Sequence, residues 1–201
     1  MKKEVVVCFG PGPLFKGGIQ NYNTSLALAL DRREDCEVHI VSWTQQYPAI
    51  IPREFVDKSS KSDLLSGSNV QVHYVTNYNN PLTWRETVQK IKSFSASKVI
   101  IQWSIALQGL PLYFIAKGLK KAKIEVIFDV HFVQQKEHSS IDKLLTKWAL
   151  GKADTILVHA LKTYEELKSV FPNRSFHLTE TGERGENTVV KLFHPIYDLF
   201  K

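Results

Sequence analysis

The sequence predicts an α/β protein built on a doubly wound, mostly parallel sheet of about seven strands, with helices on both faces. Three observations carry that prediction. Short apolar runs recur along the chain, rich in Val and Ile and near-continuous rather than alternating, as strands covered on both faces require. Between them, apolar residues return at helical spacing. With 201 residues and 43% hydrophobic residues, the chain can bury roughly 70% of its unfolded surface without disulfide or metal staples.

The first run, 5–9, is followed by a Pro/Gly turn and then by Ile19, Tyr22, Leu26 and Leu30, spaced for one face of a helix. A second run, 38–43, precedes a polar stretch, 45–69, whose Pro48 and Pro52 mark an exposed loop. Runs at 70–75 and 99–103 come next, and the apolar segment 110–116 after them. The run 124–130 leads to Ile141, Leu144, Leu145 and Trp148, with Ser139 and Asp142 as a capping pair and Gly151 as a stop. The run 155–158 leads to Leu161, Tyr164, Leu167 and Phe171, ahead of Pro172. A polar stretch with two glycines, 173–187, reads as a second loop, and 189–193 is the last strand. Repeated βα units of this kind join parallel strands by right-handed crossovers.

Charge and cysteine usage narrow the function. Lys and Arg number 26 against 20 for Asp and Glu, a net +6 that suits phosphate-bearing or membrane-surface partners. The bases are scattered and no reading helix stands out, which argues against nucleic acid as a partner. Two cysteines, Cys8 and Cys36, exclude a disulfide framework and a Cys-rich zinc site and fit a reducing cytoplasm. The opening apolar run is too short for a signal peptide. The longest apolar window, 99–116, is broken by Gln102, Ser104, Gln108, Gly109 and Pro111 and makes a poor bilayer span.

Open parallel sheets bind ligands outside the carboxyl ends of their strands, which directs attention to the turns after Phe9, Trp103 and Val130. The first of these, Gly10-Pro11-Gly12-Pro13-Leu14-Phe15-Lys16-Gly17-Gly18, is neither a dinucleotide fingerprint nor a P-loop. It does place Gly17 and Gly18 directly ahead of a helix. Glycine lets backbone approach a ligand, and a helix N-terminus offers free N–H groups to a phosphate. A plain tight turn accounts for the same two residues.

Five segments carry a resemblance, in order. They are Gly17-Gly18-Ile19 with Tyr22 and Leu26-Ala27-Leu28-Ala29-Leu30; Cys36-Glu37-Val38-His39-Ile40-Val41; Phe128-Asp129-Val130-His131; Trp148-Ala149-Leu150-Gly151-Lys152-Ala153-Asp154-Thr155-Ile156-Leu157-Val158; and Phe193-His194-Pro195-Ile196-Tyr197-Asp198-Leu199-Phe200. Together they resemble the N-terminal half of retaining GT-B glycosyltransferases of family 4. The resemblance implies two Rossmann-like domains facing across a cleft, the N-terminal one binding acceptor and the C-terminal one a nucleotide sugar. It makes residues 1–201 a single Rossmann-like N-terminal domain, with the C-terminal donor-binding domain absent from this chain. The family's glutamate-rich donor motif would lie past Lys201, and Glu165-Glu166 read instead as a solvated helix face.

The same resemblance implies site residues. Gly17 and Gly18 would meet the donor diphosphate, and His131 would line the cleft beside the transferred sugar. An imidazole there can donate a hydrogen bond or share a proton near neutral pH, and Asp129, two residues earlier on a strand end, faces the same way. A buried histidine satisfied by the backbone is the alternative. Gln20, Asn21, Tyr22, Trp103 and Ser104 would meet the acceptor, Trp103 by stacking on a sugar ring unless it belongs to the core. Asp129, His131 and His138 are metal-ligand types without a recognisable spacing, so neither a metal nor another cofactor is expected. Lys117, Lys120, Lys121 and Lys123 either complement a helix C-terminus or attract anionic lipid head groups.

The expected function is transfer of a sugar from a nucleotide-sugar donor to a glycan or lipid-linked acceptor, with retention. The expected location is cytoplasmic, peripheral on the inner face of the cell membrane. A non-catalytic subunit recruiting a membrane acceptor for a separate donor-binding protein, or a stand-alone nucleotide- or sugar-binding module, fits the same residues.

Overall fold

The structure, a computed structural model, describes residues 3–51, 64–133 and 139–193. In sequence the elements are β1 (Glu4–Phe9), α1 (Gly18–Asp31), β2 (Cys36–Gln45), β3 (Gln71–Asn77), α2 (Pro81–Ser93), β4 (Lys98–Trp103), α3 (Gly109–Lys121), β5 (Glu125–Val130), α4 (Ser140–Leu150), β6 (Thr155–Val158), α5 (Leu161–Val170), β7 (His177–Thr179) and β8 (Thr188–Lys191). The sheet has eight strands in the order β3-β2-β1-β4-β5-β6-β8-β7. The pairs β1/β2, β2/β3, β5/β6, β6/β8 and β7/β8 all run parallel.

Every strand read from the sequence is present, and β7 is added to them. It lies inside the stretch 173–187 that reads as a loop, and three residues are too few to show a period. It pairs with β8, so the last strand in sequence lies inside the sheet and β7 forms the edge. Pro52, His138 and the segment from His194 to Phe200 lie outside the described residues.

The chain divides into two compact units, one built from residues up to Ile100 and the other from Ile101 onward. In the first, Val5 to Phe9 are all buried, so both faces of β1 are covered. Burying each such side chain contributes about 1.5–3 kcal/mol. Cys8, Ala27, Cys36, Val38, Ile40 and Val70 form a buried cluster, and neither cysteine is in a disulfide. Helix α2 starts at Asn80, whose side chain accepts the Leu82 N–H at 3.1 Å, with Pro81 in the first helical position. The Trp84 indole N–H donates to the Asn77 carbonyl at 2.9 Å and ties α2 to the end of β3.

In the second unit, α4 opens with the predicted capping box. The Ser139 hydroxyl accepts the Asp142 N–H, and the Asp142 carboxylate accepts the Ser139 N–H. Helices α3 and α4 touch at Gly109, where an added Cβ would sit 2.8 Å from the Leu145 carbonyl oxygen. Backbone cannot swing aside as a side chain can. Gly109→Ala is therefore expected to cost about 1–3 kcal/mol by forcing the two helices apart. Urea unfolding checks this, and an unchanged midpoint would mean that the pair yields without cost.

Candidate functional site

In the second unit, three neighbouring strands end in polar residues. β4 closes with Gln102 and Trp103, β5 carries Asp129 one residue from its end, and His131 and His159 stand immediately after β5 and β6. The His131 N–H donates to the Trp103 carbonyl at 3.0 Å, which fixes the first residue of its turn against β4. Asp129 and His131 are two apart on an extended segment and so project to one side. His159, one strand over, meets them both.

Asp129 is fully buried, and its Oδ1 accepts from His159 Nε2 at 2.7 Å. The His159 ring lies against that of His131, with centroids 5.4 Å apart and planes inclined by 25°. His131 Nε2 in turn donates to Gln102 Oε1 at 2.7 Å. His131 and His159 are both half-buried. Asp129 Oδ2, Gln102 Nε2 and Trp103 Nε1 are buried and have no hydrogen-bond partner among the described residues. Orphaned polar atoms cost about 1–3 kcal/mol each in a folded core. These atoms lie beneath the surface, so they belong to a buried polar network under the strand ends, where enclosed water is the partner that would satisfy them. Among the described residues no group of three or more His, Cys, Asp or Glu is arranged to hold a metal ion.

The glycine turn belongs to the other unit and is anchored along its length. Gly12 N–H donates to Ser42 Oγ at 2.7 Å, Leu14 N–H to Tyr74 Oη at 3.2 Å, and Asn23 Nδ2 to the Pro11 carbonyl at 3.2 Å. Gly17 caps α1 without a side-chain bond, and the first turn carries no acidic residue to occupy its N–H groups. Gly17 and Gly18 are both exposed, with open space where a Cβ would lie. They differ in backbone: Gly17 has φ +116°, where L residues are strained, and Gly18 does not. Substituting Gly17 therefore cannot leave the fold untouched, whereas Gly18 can be changed freely. Gly17→Ala is expected to lose about 1 kcal/mol or more, and Gly18→Ala to stay within about 0.5 kcal/mol, in the same unfolding assay. Equal losses would mean that the turn is not held in this conformation.

Three residues expected at an acceptor site are turned inward. Trp103 has no exposed surface and packs edge-on against Phe128 with ring centroids 6.2 Å apart, so it offers no face to a sugar. Gln20 is buried and donates to Thr24 Oγ1 at 3.2 Å, and Tyr22 is buried as well. The physical reason is the same throughout: sheet and helix are covered on both sides here, so a strand end or helix start points as readily into core as into a cleft. Asn21 and Ser104 remain half-buried. Lys117, Lys120, Lys121 and Lys123 are all exposed, but Lys120 is held in an ion pair by Asp154. No helix among the described residues is long and apolar enough to cross a membrane. Sequence reasoning missed His159 and the role of Gln102. The signal was available, since His159 follows β6 as His131 follows β5.

No family model matches the chain, and no match was found among curated proteins. Solved structures do match. An alpha-glucosyltransferase in complex with UDP and a 13-mer DNA shares 15% identity over 87% of this chain and 41% of its own, with a TM-score of 0.55. UDP-GlcNAc 2-epimerase from Methanocaldococcus jannaschii shares 12% identity over 83% of this chain and 42% of its own, at 0.53. HepE from Anabaena in complex with UDP shares 12% over 95% of this chain and 44% of its own, at 0.52. The chain thus spans about two fifths of the length of each solved chain it matches. Identities this low speak for the fold alone: the chain has the α/β Rossmann-like architecture that these GT-B-type proteins share.

Proposed function

We propose that residues 1–201 are the acceptor-side domain of a glycosyltransferase, similar to family 4, that moves a sugar from a nucleotide-sugar donor to a glycan or lipid-linked acceptor with retention. The observation that carries this reading is the strand-end cluster in which Gln102, Asp129 and His159 hold the half-buried His131. An imidazole suits a polyhydroxylated ligand, whose hydroxyls both donate and accept. The UDP in two of the matching structures, and the UDP-sugar named for the third, support a nucleotide sugar as donor.

In this scheme His131 touches the transferred sugar and orients its hydroxyls, while Asp129 and His159 hold the imidazole from behind. The bond from the anomeric carbon to the diphosphate breaks, one to the acceptor oxygen forms, and the acceptor's hydroxyl proton passes to the departing diphosphate oxygen. Within the first unit by itself, the N–H groups at Gly17 and Gly18 suit a donor diphosphate and Asn21 is offered to an acceptor. Within the second unit, Ser104 is offered to an acceptor, and the nucleotide is held by a second, donor-binding domain.

Ring nitrogen and carbon resonances of the histidines test the reading on the chain joined to a donor-binding domain. Millimolar UDP-glucose should move the His131 and His159 signals and leave His39 and His73, on β2 and β3, in place. Unmoved His131 signals, with the compound present at that level, would overturn the assignment of this cluster to the sugar.

A further inference from the structure

The four lysines that the sequence offers to a membrane do not share one surface role, because Lys120 is taken by Asp154. The structure places a different surface beside them. Phe114, Lys117 and Lys121 recur three and four residues apart on α3, and Ile141, Leu144 and Trp148 do so on α4, so each set shares one side of its helix. The helices adjoin at Gly109 and Leu145. Tyr113 bridges the two sets, its ring 5.2 Å from that of Phe114 and 5.9 Å from that of Trp148. One aromatic band therefore crosses both helices. Its apolar members are exposed in folded protein: Ile141 by 67%, Phe114 by 48%, Leu144 by 45% and Trp148 by 43%.

Cations border this band. Lys117 and Lys152 lie over the Tyr113 ring at 5.7 and 5.4 Å, and Lys143 and Lys147 are exposed along α4 beyond Leu144. The acidic residue on α4, Asp142, is occupied in the capping box. We propose that the α3–α4 face docks on an anionic lipid surface, with Phe114, Ile141, Leu144 and Trp148 entering the head-group boundary and Lys117, Lys143, Lys147 and Lys152 meeting lipid phosphates. The composition is that of an interfacial surface. Trp and Tyr combine an apolar body with a polar tip, lysine stems lie along apolar surface while their ammonium groups stay wet, and the charge has the sign that anionic lipid attracts. Each lysine near such a surface changes partitioning by about five-fold, so the four together give binding that is reversible and sensitive to salt.

The chain carries its own reporter. Trp43, Trp84 and Trp103 are buried, and Trp148 is the exposed tryptophan, so a shift of emission on adding vesicles reads the α3–α4 face. With the full chain and vesicles of phosphatidylcholine containing about a third phosphatidylglycerol, we expect co-sedimentation and a blue shift at low salt. Both should be lost at high salt or with pure phosphatidylcholine. Ile141→Ser with Phe114→Ser should weaken binding at least about ten-fold with an unchanged far-ultraviolet spectrum. Replacing Lys117, Lys143, Lys147 and Lys152 with Gln should weaken it several-hundred-fold. Absence of sedimentation at low salt would overturn the inference. So would sedimentation without a blue shift, since that reads as attraction of scattered charge. Equal binding to neutral vesicles, or a blue shift that follows protein concentration without lipid, would assign the face to another occupant. None of these results bears on the histidine signals with UDP-glucose, so this surface and the proposed sugar site succeed or fail separately.

Discussion

Asp129→Ala should lower the free energy of unfolding by about 1–3 kcal/mol, the usual cost of leaving a buried hydrogen-bonding group without its partner. The carboxylate has no exposed surface and one oxygen bonded to His159 at 2.7 Å. Deleting it leaves the His159 ring without its acceptor and a small cavity between β5 and β6. Urea unfolding of the wild type, Asp129→Ala, His159→Ala and the double variant closes a cycle. The two single losses should not add, because each already breaks the same bond, and the coupling should exceed about 1 kcal/mol. Replacing both partners, Asp129→Leu with His159→Leu, separates stability from purpose. When both members of a buried hydrogen-bonded pair give way to apolar side chains, no polar group is stranded, so this double variant should fold nearly as well as the wild type yet lose the response of the His131 signals to UDP-glucose. An additive cycle would mean that the pair holds nothing together. A double leucine variant that still responds would mean that the pair does not position the His131 ring.

The fold was legible because its strands are covered on both faces. Unbroken buried runs such as Val5 to Phe9 stand out from any amphipathic background, and the capping box at Ser139 and Asp142 marks a helix start without ambiguity. β7 was illegible, since a three-residue edge strand has no period to read. Helix α2 was missed although Trp84, Val88 and Ile91 return at helical spacing and are buried. The site was half legible for a related reason. Asp129 and His131 share a strand, so their spacing alone puts them on one side. Gln102 and His159 join them across 29 and 30 residues, through the lateral order of β4, β5 and β6, and that order is not written in any local pattern. Coverage of both faces also explains why Trp103, Gln20 and Tyr22 were misread. Where every direction leads into core, position at a strand end does not distinguish cleft from interior.

His131→Ala should cost the transfer reaction about 2–4 kcal/mol of transition-state stabilisation, a fall of roughly 30- to 1,000-fold in kcat/KM, the scale of removing one preorganised donor. The expected loss of stability is much smaller. The side chain is half-buried, its backbone N–H to Trp103 survives the substitution, and the losses include a hydrogen bond to Gln102 worth about 1 kcal/mol and the ring contact with His159. The two possible roles of this residue therefore separate in one experiment on the chain joined to its donor-binding domain. If the imidazole orients the sugar, Tm falls by a few degrees while turnover collapses, with the loss in kcat larger than in KM because the interaction strengthens toward the transition state. If the imidazole only satisfies Gln102 in the core, Tm falls by at least as much and the folded fraction turns over normally. Gln102→Leu sharpens the comparison. It removes the acceptor that fixes the His131 ring without removing the ring, so it should reduce kcat by a lesser factor than His131→Ala and add little when combined with it. A Gln102→Leu variant with full activity, beside a His131→Ala variant without any, would leave His131 at the reacting centre but free Gln102 of any part in placing it.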